Sequence, residues 1–190
     1  MVYIFCRALL RLLYGLLFRL QAVGREHVPT EGPVILASNH LSVLDPPTIG
    51  IKLQRKVNFM AKAELFDIPL FGRLIRQCGA FPVKRGGVSK ESIRASIELL
   101  SNGGMMGIFP EGTRKSSGEA GKKGAAMIAL RSGAAIVPVY IEGNYKLFRK
   151  MIVRYGPPVD LSDIIAEPSS DALERVTERI MNEIRSLRKK

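Results

Sequence analysis

Along the 190 residues, from about residue 24 onward, short apolar runs alternate with segments of helical period. Six runs, 34–37, 57–61, 80–83, 105–109, 136–141 and 151–155, are rich in Val, Ile, Met and Phe and too short for helices, so they read as strands. Between them the apolar spacing changes to three and four. The clearest case is 89–102: Ser89 can accept at the helix N-terminus, Val88 and Ile93 can staple it, Ile93, Ile97 and Leu100 form its inward stripe, and Gly103 ends it. A second helix is expected over 123–131, stopping at Gly133. A third starts at Asp171, with Leu173, Val176, Ile180, Ile184 and Leu187 on one face and Asp171 and Glu174 spaced as a variant capping box. Strands alternating with helices predict an α/β fold, a mostly parallel central sheet flanked by helices. Pro82 and Pro138 fall inside strand-like runs, which assigns those places to edges or bulges. With no repeat and no long linker, the expected organisation is an N-terminal amphipathic helix, 1–22, and one domain, 23–190, that includes the C-terminal helix.

The first twenty residues have the apolar content of a helix without the continuity of a membrane span. The longest stretch between Arg11 and Arg19 holds seven residues, against the ~20 apolar residues that cross a bilayer. No small-residue cleavage site of a secretory signal follows. Spacings of four and eight place Arg7, Arg11 and Arg19 in one arc, with Tyr3 and Tyr14 nearby and Leu9, Leu13, Leu16 and Leu20 opposite. Two arrangements share this pattern. In one the helix lies in a membrane interface, arginines on lipid phosphates and leucines in the acyl region; in the other it packs on the domain with its arginines in water. Residues 1–25 hold four Arg and no acid, which favours the interfacial arrangement.

Charge carries the same message. Lys and Arg total 29 against 17 acidic residues, a formal charge of +12, yet 46% of the chain is hydrophobic and its mean hydropathy is +0.09. Strong basicity beside so much apolar surface suits an anionic membrane or an anionic amphiphile. Nucleic acid fits less well, because the cations are dispersed and no aromatic and basic motif accompanies them. Cys6 and Cys78 are far apart in the chain, and His27 and His40 are the only histidines. Neither a disulfide framework nor a zinc or His-rich metal site is expected from that set.

Three polar clusters follow directly on strand runs: 39–47 after the first, 84–87 after the third and 110–115 after the fourth. Parallel α/β sheets bind ligands outside the carboxyl ends of their strands, so such clusters can converge on one crevice. His40 and Asp45 are five residues apart, which in a helix would set them about 140° from each other. They meet only if the segment turns. Pro46 and Pro47 favour that turn, with Asp45 capping a short helix, Pro46 in its first position and His40 left at the strand end. An Asp on one imidazole nitrogen leaves the other free to take a proton. Ser42 lacks a G-x-S-x-G context and reads as a local hydrogen-bonder, so the chemistry on offer is general-base action on a substrate hydroxyl. On spacing alone, a histidine bonded to backbone beside a merely capping Asp is the alternative. Gly112 can admit an oxyanion to backbone amides, Thr113 adds a hydroxyl and Arg114 can fork onto phosphate; equally, Glu111 and Arg114 can pair across a turn. Thr113 stands where a P-loop requires lysine. Lys84 and Arg85 offer either a second phosphate contact or ordinary solvated charge.

Together these residues resemble one family, the glycerolipid acyltransferases of the 1-acylglycerol-3-phosphate O-acyltransferase type, over about residues 23–160. Asn39-His40-x-x-x-x-Asp45 matches the family's H-x-x-x-x-D block, 79–85 the second block, 109–114 the third and 137–139 the fourth, in that order. Residues 60–66 are similar to a segment of bacterial members, and Lys84 stands where an acidic residue is frequent. The resemblance implies that His40, held by Asp45, takes the proton of the sn-2 hydroxyl of lysophosphatidic acid while that oxygen attacks an acyl thioester, giving phosphatidic acid in phospholipid biosynthesis. It implies that Arg85, Glu111, Gly112, Thr113 and Arg114 grip the glycerol phosphate, that Lys62 meets an anionic group of either substrate, and that Val137, Pro138 and Val139 line the acyl channel or shape its wall. No metal or prosthetic group is implied; acyl-CoA or acyl-carrier protein is the co-substrate. The implied place is an anionic membrane surface, on the cytoplasmic face of a bacterial cell membrane, peripheral or monotopic. A glycerol-3-phosphate or other lysolipid acyltransferase would use the same base. A noncatalytic basic membrane-surface module is the alternative from a different class, and the intact His40 and Asp45 speak against it.

Overall fold

The computed structural model describes residues 1–83, 89–111, 119–167 and 169–188, and the side chains of all of these except 119–122. In chain order the elements are α1 (Val2–Phe18), β1 (Gln21–Val23), β2 (Val34–Ser38), α2 (Asp45–Gly50), β3 (Val57–Lys62), α3 (Phe71–Gln77), β4 (Ala80–Val83), α4 (Lys90–Ser101), β5 (Met105–Ile108), α5 (Glu119–Ser132), β6 (Ala135–Glu142), β7 (Ile152–Tyr155), α6 (Ser162–Ala166) and α7 (Ala172–Ser186). The strands form one sheet in the order β1-β7-β6-β2-β5-β3-β4. Every pairing is parallel except that of β6 with β7. The six strand runs read from the sequence all appear, and the mostly parallel sheet flanked by helices is as expected.

β2 lies at the centre, paired with β6 on one side and β5 on the other, and all five of its residues are buried. Side chains alternate across a strand, so Val34 and Leu36 join the core under α1 and α2 while Ile35 and Ala37 join the core under α4, α5 and α7. Burial of this kind is worth roughly 1.5–3 kcal/mol for each large aliphatic side chain. Neighbouring β5 carries Gly107, where an added Cβ would lie 2.1 Å from Phe59 Cε1, so the missing side chain makes room for the Phe59 ring of β3.

Several elements differ from the sequence reading for identifiable reasons. β1 was not anticipated: it is three residues long, starts with Gln21 and exists only through its pairing with β7. Pro138 is in an interior strand. Its carbonyl accepts from Gly156 N at 2.9 Å, so its ring nitrogen faces the same neighbour just where β7 has ended, and the one bond the proline cannot make falls at the last rung of that ladder. In α4 the buried residues are Ser92, Ser96 and Leu100, with Ile93 packed at the margin. Ser96 Oγ donates to Ser92 O at 2.8 Å, which lets small hydroxyl residues lie against the sheet without an orphan donor. Ser89 caps that helix by accepting from Ser92 N, as expected, whereas Val88 lies outside the described residues. Asp171 makes no side-chain cap on α7; its carboxylate accepts from the Ser169 hydroxyl. Cys6 on α1 and Cys78 after α3 are remote in sequence but neighbours in the fold as free thiols, and burial, followed by the influence of Cys6, pushes the Cys78 thiol up to about 11.

Two arginines of the N-terminal helix lie neither on an outer surface nor in water. Arg7 donates to the carbonyls of Leu53 and Gln54, and Arg11 to those of Ile51 and Leu53, so these two arginines hold α1 to the segment after α2. Leu20 is buried too. Arg19 is exposed and ends the helix in the left-handed region at φ 46°. The outward face is apolar: Ile4, Phe5, Leu9, Leu12, Leu13 and Leu16 are exposed. Among the described residues no helix is long and apolar enough to cross a membrane.

Candidate active site

The site begins where β2 ends. Asn39 continues the sheet with its side chain: Nδ2 donates to Ile141 O at 3.1 Å, and Oδ1 accepts from Ile141 N at 2.7 Å. This clasp on β6 fixes the backbone just before it leaves the sheet, and His40 is the first residue beyond it. The chain then turns back through 41–44 into α2. Asp45 opens that helix, with Leu44 in the cap position and prolines in the first turn, so Asp45 is not itself the cap. Its carboxylate reaches backward instead. Oδ2 accepts from the amides of Leu41 at 2.6 Å and Ser42 at 2.8 Å, and from His40 Nδ1 at 2.6 Å.

Asp45 is fully buried, while 17% of the His40 side chain is exposed. A carboxylate that already accepts two amides is held as an acceptor, which makes His40 Nδ1 the donor and leaves Nε2 with its lone pair. The imidazole is also fixed in plane, stacked on Phe109 just beyond β5 with centroids 4.1 Å apart and planes 17° from parallel. The result is an oriented imidazole with one face covered, one nitrogen anchored and one edge open. His27 has no such freedom, because its Nδ1 lies 2.9 Å from Tyr155 O beside Gly24, where a Cβ would press on the same carbonyl.

A family model described as Acyltransferase matches residues 19–142. The chain is 32% identical to the 1-acyl-sn-glycerol-3-phosphate acyltransferase of Bacillus subtilis over 195 aligned positions, covering 100% of this chain and 98% of that protein. It belongs to the acyltransferase family. A like-named protein of Streptococcus pneumoniae is 35% identical over 160 positions, 80% of this chain and 60% of that one. The crystal structure of the 1-acyl-sn-glycerophosphate acyltransferase PlsC from Thermotoga maritima shares the fold with a TM-score of 0.71 at 28% identity, over 98% of this chain and 78% of that one.

In this acyltransferase the sheet order sets the carboxyl ends of β2, β5, β3 and β4 side by side. His40 follows β2, Glu111 lies three residues past β5 and is half-buried, and exposed Lys62 closes β3. Arg85, Gly112, Thr113 and Arg114, like Lys84, lie outside the described residues. Val137 and Val139 are fully buried in the core between the sheet and α1, beneath the site rather than at an open surface. Pro138 alternates to the other face, toward Gly156.

The acyltransferase site also contains residues that the sequence reading missed. Tyr145, three residues after β6, donates from its hydroxyl to Asp45 Oδ1 at 2.6 Å, and Thr48 Oγ1 lies 2.7 Å from the same hydroxyl. Tyr14 of α1 donates to Leu44 O at 3.2 Å. Burial first, and the Asp45 charge second, push the Tyr14 phenol up to about 12; Tyr145 is raised further by burial and by its bond to Asp45. Neither tyrosine has a local sequence signal, since each reaches the dyad across a long stretch of chain. The clasp by Asn39 was half legible, as the residue preceding the histidine in the family block.

Proposed function

We propose that this acyltransferase moves an acyl chain from a thioester, acyl-CoA or acyl-carrier protein, to the sn-2 hydroxyl of lysophosphatidic acid, forming phosphatidic acid for phospholipid synthesis. The observation that carries the chemistry is the 2.6 Å bond between His40 Nδ1 and the fully buried Asp45 carboxylate, which leaves Nε2 as the base. The choice of acceptor is supported by the names of the B. subtilis and S. pneumoniae relatives.

In this reading the acceptor hydroxyl lies against Nε2. Its proton passes to the imidazole as the oxygen bonds to the thioester carbonyl carbon. The carbon–sulfur bond then breaks and the departing thiolate takes the proton back, so the imidazole is regenerated. Asp45 stabilises the imidazolium between the two transfers without taking a proton. General-base assistance supplies typically ~10²–10⁴-fold, the rest coming from positioning and charge stabilisation. The thioester already supplies the activation, so the cycle needs no resident metal or prosthetic group. Arg85, Arg114, Gly112 and Thr113 bind the phosphate, Glu111 organises the arginines, and Lys62 meets a second anionic group. Val137 and Val139 shape the wall of the acyl channel from below, while Pro138 faces the other side of the sheet.

The protein works on an anionic membrane surface, on the cytoplasmic side of a bacterial membrane. The apolar face of α1 enters the acyl region while Arg7 and Arg11 hold the helix to the domain. Vesicle flotation separates the two faces: Leu12→Ser with Leu16→Ser loses binding with an unchanged melting temperature, whereas Arg11→Ala lowers the melting temperature. Binding to anionic vesicles that survives the double leucine substitution assigns the contact to another surface.

The activity test offers lysophosphatidic acid, glycerol 3-phosphate and lysophosphatidylcholine, each with acyl-CoA and with acyl-carrier protein, to the parent protein and to His40→Ala. Turnover on lysophosphatidic acid that disappears in the folded variant is the expected outcome. Turnover on glycerol 3-phosphate or lysophosphatidylcholine alone removes the acceptor assignment, and an active His40→Ala removes the base.

A further inference from the structure

The geometry points to Tyr145 as a positioning residue of the acyl-transfer site: its hydroxyl holds the second oxygen of Asp45 and thereby sets the plane of the carboxylate that orients His40. The inference rests on the reading of His40 as the base. Tyr145 lies three residues beyond the 19–142 stretch matched by the family model.

Asp45 Oδ2 is occupied by His40 Nδ1 and two backbone amides, whereas Oδ1 has the Tyr145 hydroxyl at 2.6 Å as its donor. With one oxygen unbonded, a buried carboxylate would be poorly solvated and able to twist about its Cβ–Cγ bond. With both oxygens held, its plane is fixed, and so is the direction in which the imidazole is held. The tyrosine proton has one strong acceptor. Thr48 Oγ1, the hydroxyl's other neighbour, has a single proton that either Leu44 O at 2.9 Å or the Tyr145 oxygen can accept, and it is neutral, so the phenol proton goes to the charged oxygen. The polar groups about Asp45 among the described residues are thus His40, Tyr145 and the two amides, with Thr48 and Tyr14 behind them.

The backbone around Tyr145 is held in a way ordinary packing does not require. Tyr145 at φ 52° and Phe148 at φ 61° are both in the left-handed region that side chains disfavour. Tyr145 N donates to Met151 Sδ at 3.3 Å, and Phe148 N to Leu17 O at 2.6 Å. The Tyr145 ring stands edge-on to Phe18 of α1, with centroids 5.5 Å apart. The loop after β6 is therefore pinned to α1 in the one conformation that delivers the hydroxyl to Asp45.

Tyr145→Phe keeps the ring on Phe18 and removes only the hydroxyl. The expected result, with His40→Ala measured alongside, is kcat lowered about tenfold, the scale of one lost hydrogen bond to a charged group. KM for acceptor and donor stay within about twofold. The acid limb of the pH–rate profile moves to higher pH, because a carboxylate deprived of one donor concentrates its charge on the oxygen facing the imidazole. 3-Fluorotyrosine at position 145, which keeps the hydroxyl and makes it a stronger donor, retains kcat and moves that limb to lower pH. It also carries the test should Tyr145→Phe not fold. Parental kcat and profile in Tyr145→Phe, a change in KM alone, or an unmoved profile with fluorotyrosine overturns the inference while an inactive His40→Ala leaves the base reading standing. An active His40→Ala overturns the reading beneath it.

Discussion

Replacing Asp45 separates its charge from its role as a buried acceptor. Asp45→Asn is isosteric, and the two amides decide how it sits. Leu41 N and Ser42 N, at 2.6 and 2.8 Å from Oδ2, require an acceptor, so the amide oxygen stays on the His40 side and the amide nitrogen turns toward Tyr145. The Tyr145 hydroxyl can then accept from that nitrogen and donate to Thr48, 2.7 Å away. His40 keeps its tautomer but loses the negative charge behind it. In serine-protease triads the same exchange costs about 10⁴ in kcat because the tautomer is wrong; with the tautomer kept here, the loss is about 10²–10³. Asp45→Ala instead leaves His40 Nδ1 and the two amides without their acceptor, while the Tyr145 hydroxyl can turn to Thr48 Oγ1. At roughly 1–3 kcal/mol for each buried orphan, eased where water reaches the turn, destabilisation is about 3 kcal/mol. That lowers the melting temperature by about 6–12 °C for a chain of this size. Initial rates with saturating acyl donor, together with calorimetry on both variants, measure the two quantities. Asn at 45 within threefold of parental kcat would refute the electrostatic role, and Ala at 45 with an unchanged melting temperature would refute the acceptor role.

Two further outcomes follow from packing and titration. Gly107→Ala drives a methyl to 2.1 Å from Phe59 Cε1, which should cost about 1–3 kcal/mol by overpacking; Phe59→Leu in the same chain recovers part of it in urea denaturation, and an additive double variant sinks the explanation. Burial raises Tyr14 to about 12 and lifts Tyr145 and Tyr155 higher still. Because the folded state holds these protons more tightly than the unfolded chain, the associated stability is complete below pH ~10 and is lost as pH rises beyond it. Urea midpoints should fall between pH 10 and 11, and native-state tyrosinate absorbance at pH 11 from more than two of the five tyrosines would contradict the assignment.

The legible part of this molecule is local. Six strand runs were recognisable because a buried parallel strand must be continuously apolar, and the cap at Ser89 because its acceptor serves an amide three residues on. His40 and Asp45 were legible as a pair because five residues with two prolines leave few paths other than a turn back. Where partners were distant the reading failed. Arg7 and Arg11 have the spacing of a wet face, yet the carbonyls of Ile51, Leu53 and Gln54 give them better partners than water, and the leucines are left outward. Pro138 reads as an edge residue until the end of β7 is seen to fall beside its ring nitrogen.

The sequence by itself determined the six longer strands and the principal helices, where the charged and apolar residues fall, and that a histidine and an aspartate would meet beyond the first core strand. Each of those outcomes depends on neighbours within a few residues. Tertiary structure alone decided that Asp45 would have both oxygens held, one from beside it and one from Tyr145 a hundred residues on, and that His40 would be stacked on Phe109. It also decided which face of α1 is presented to the surroundings. The physical reason is the same in each case: a hydrogen bond or ring contact needs atoms within a few ångströms, and the sheet order, not sequence separation, puts them there.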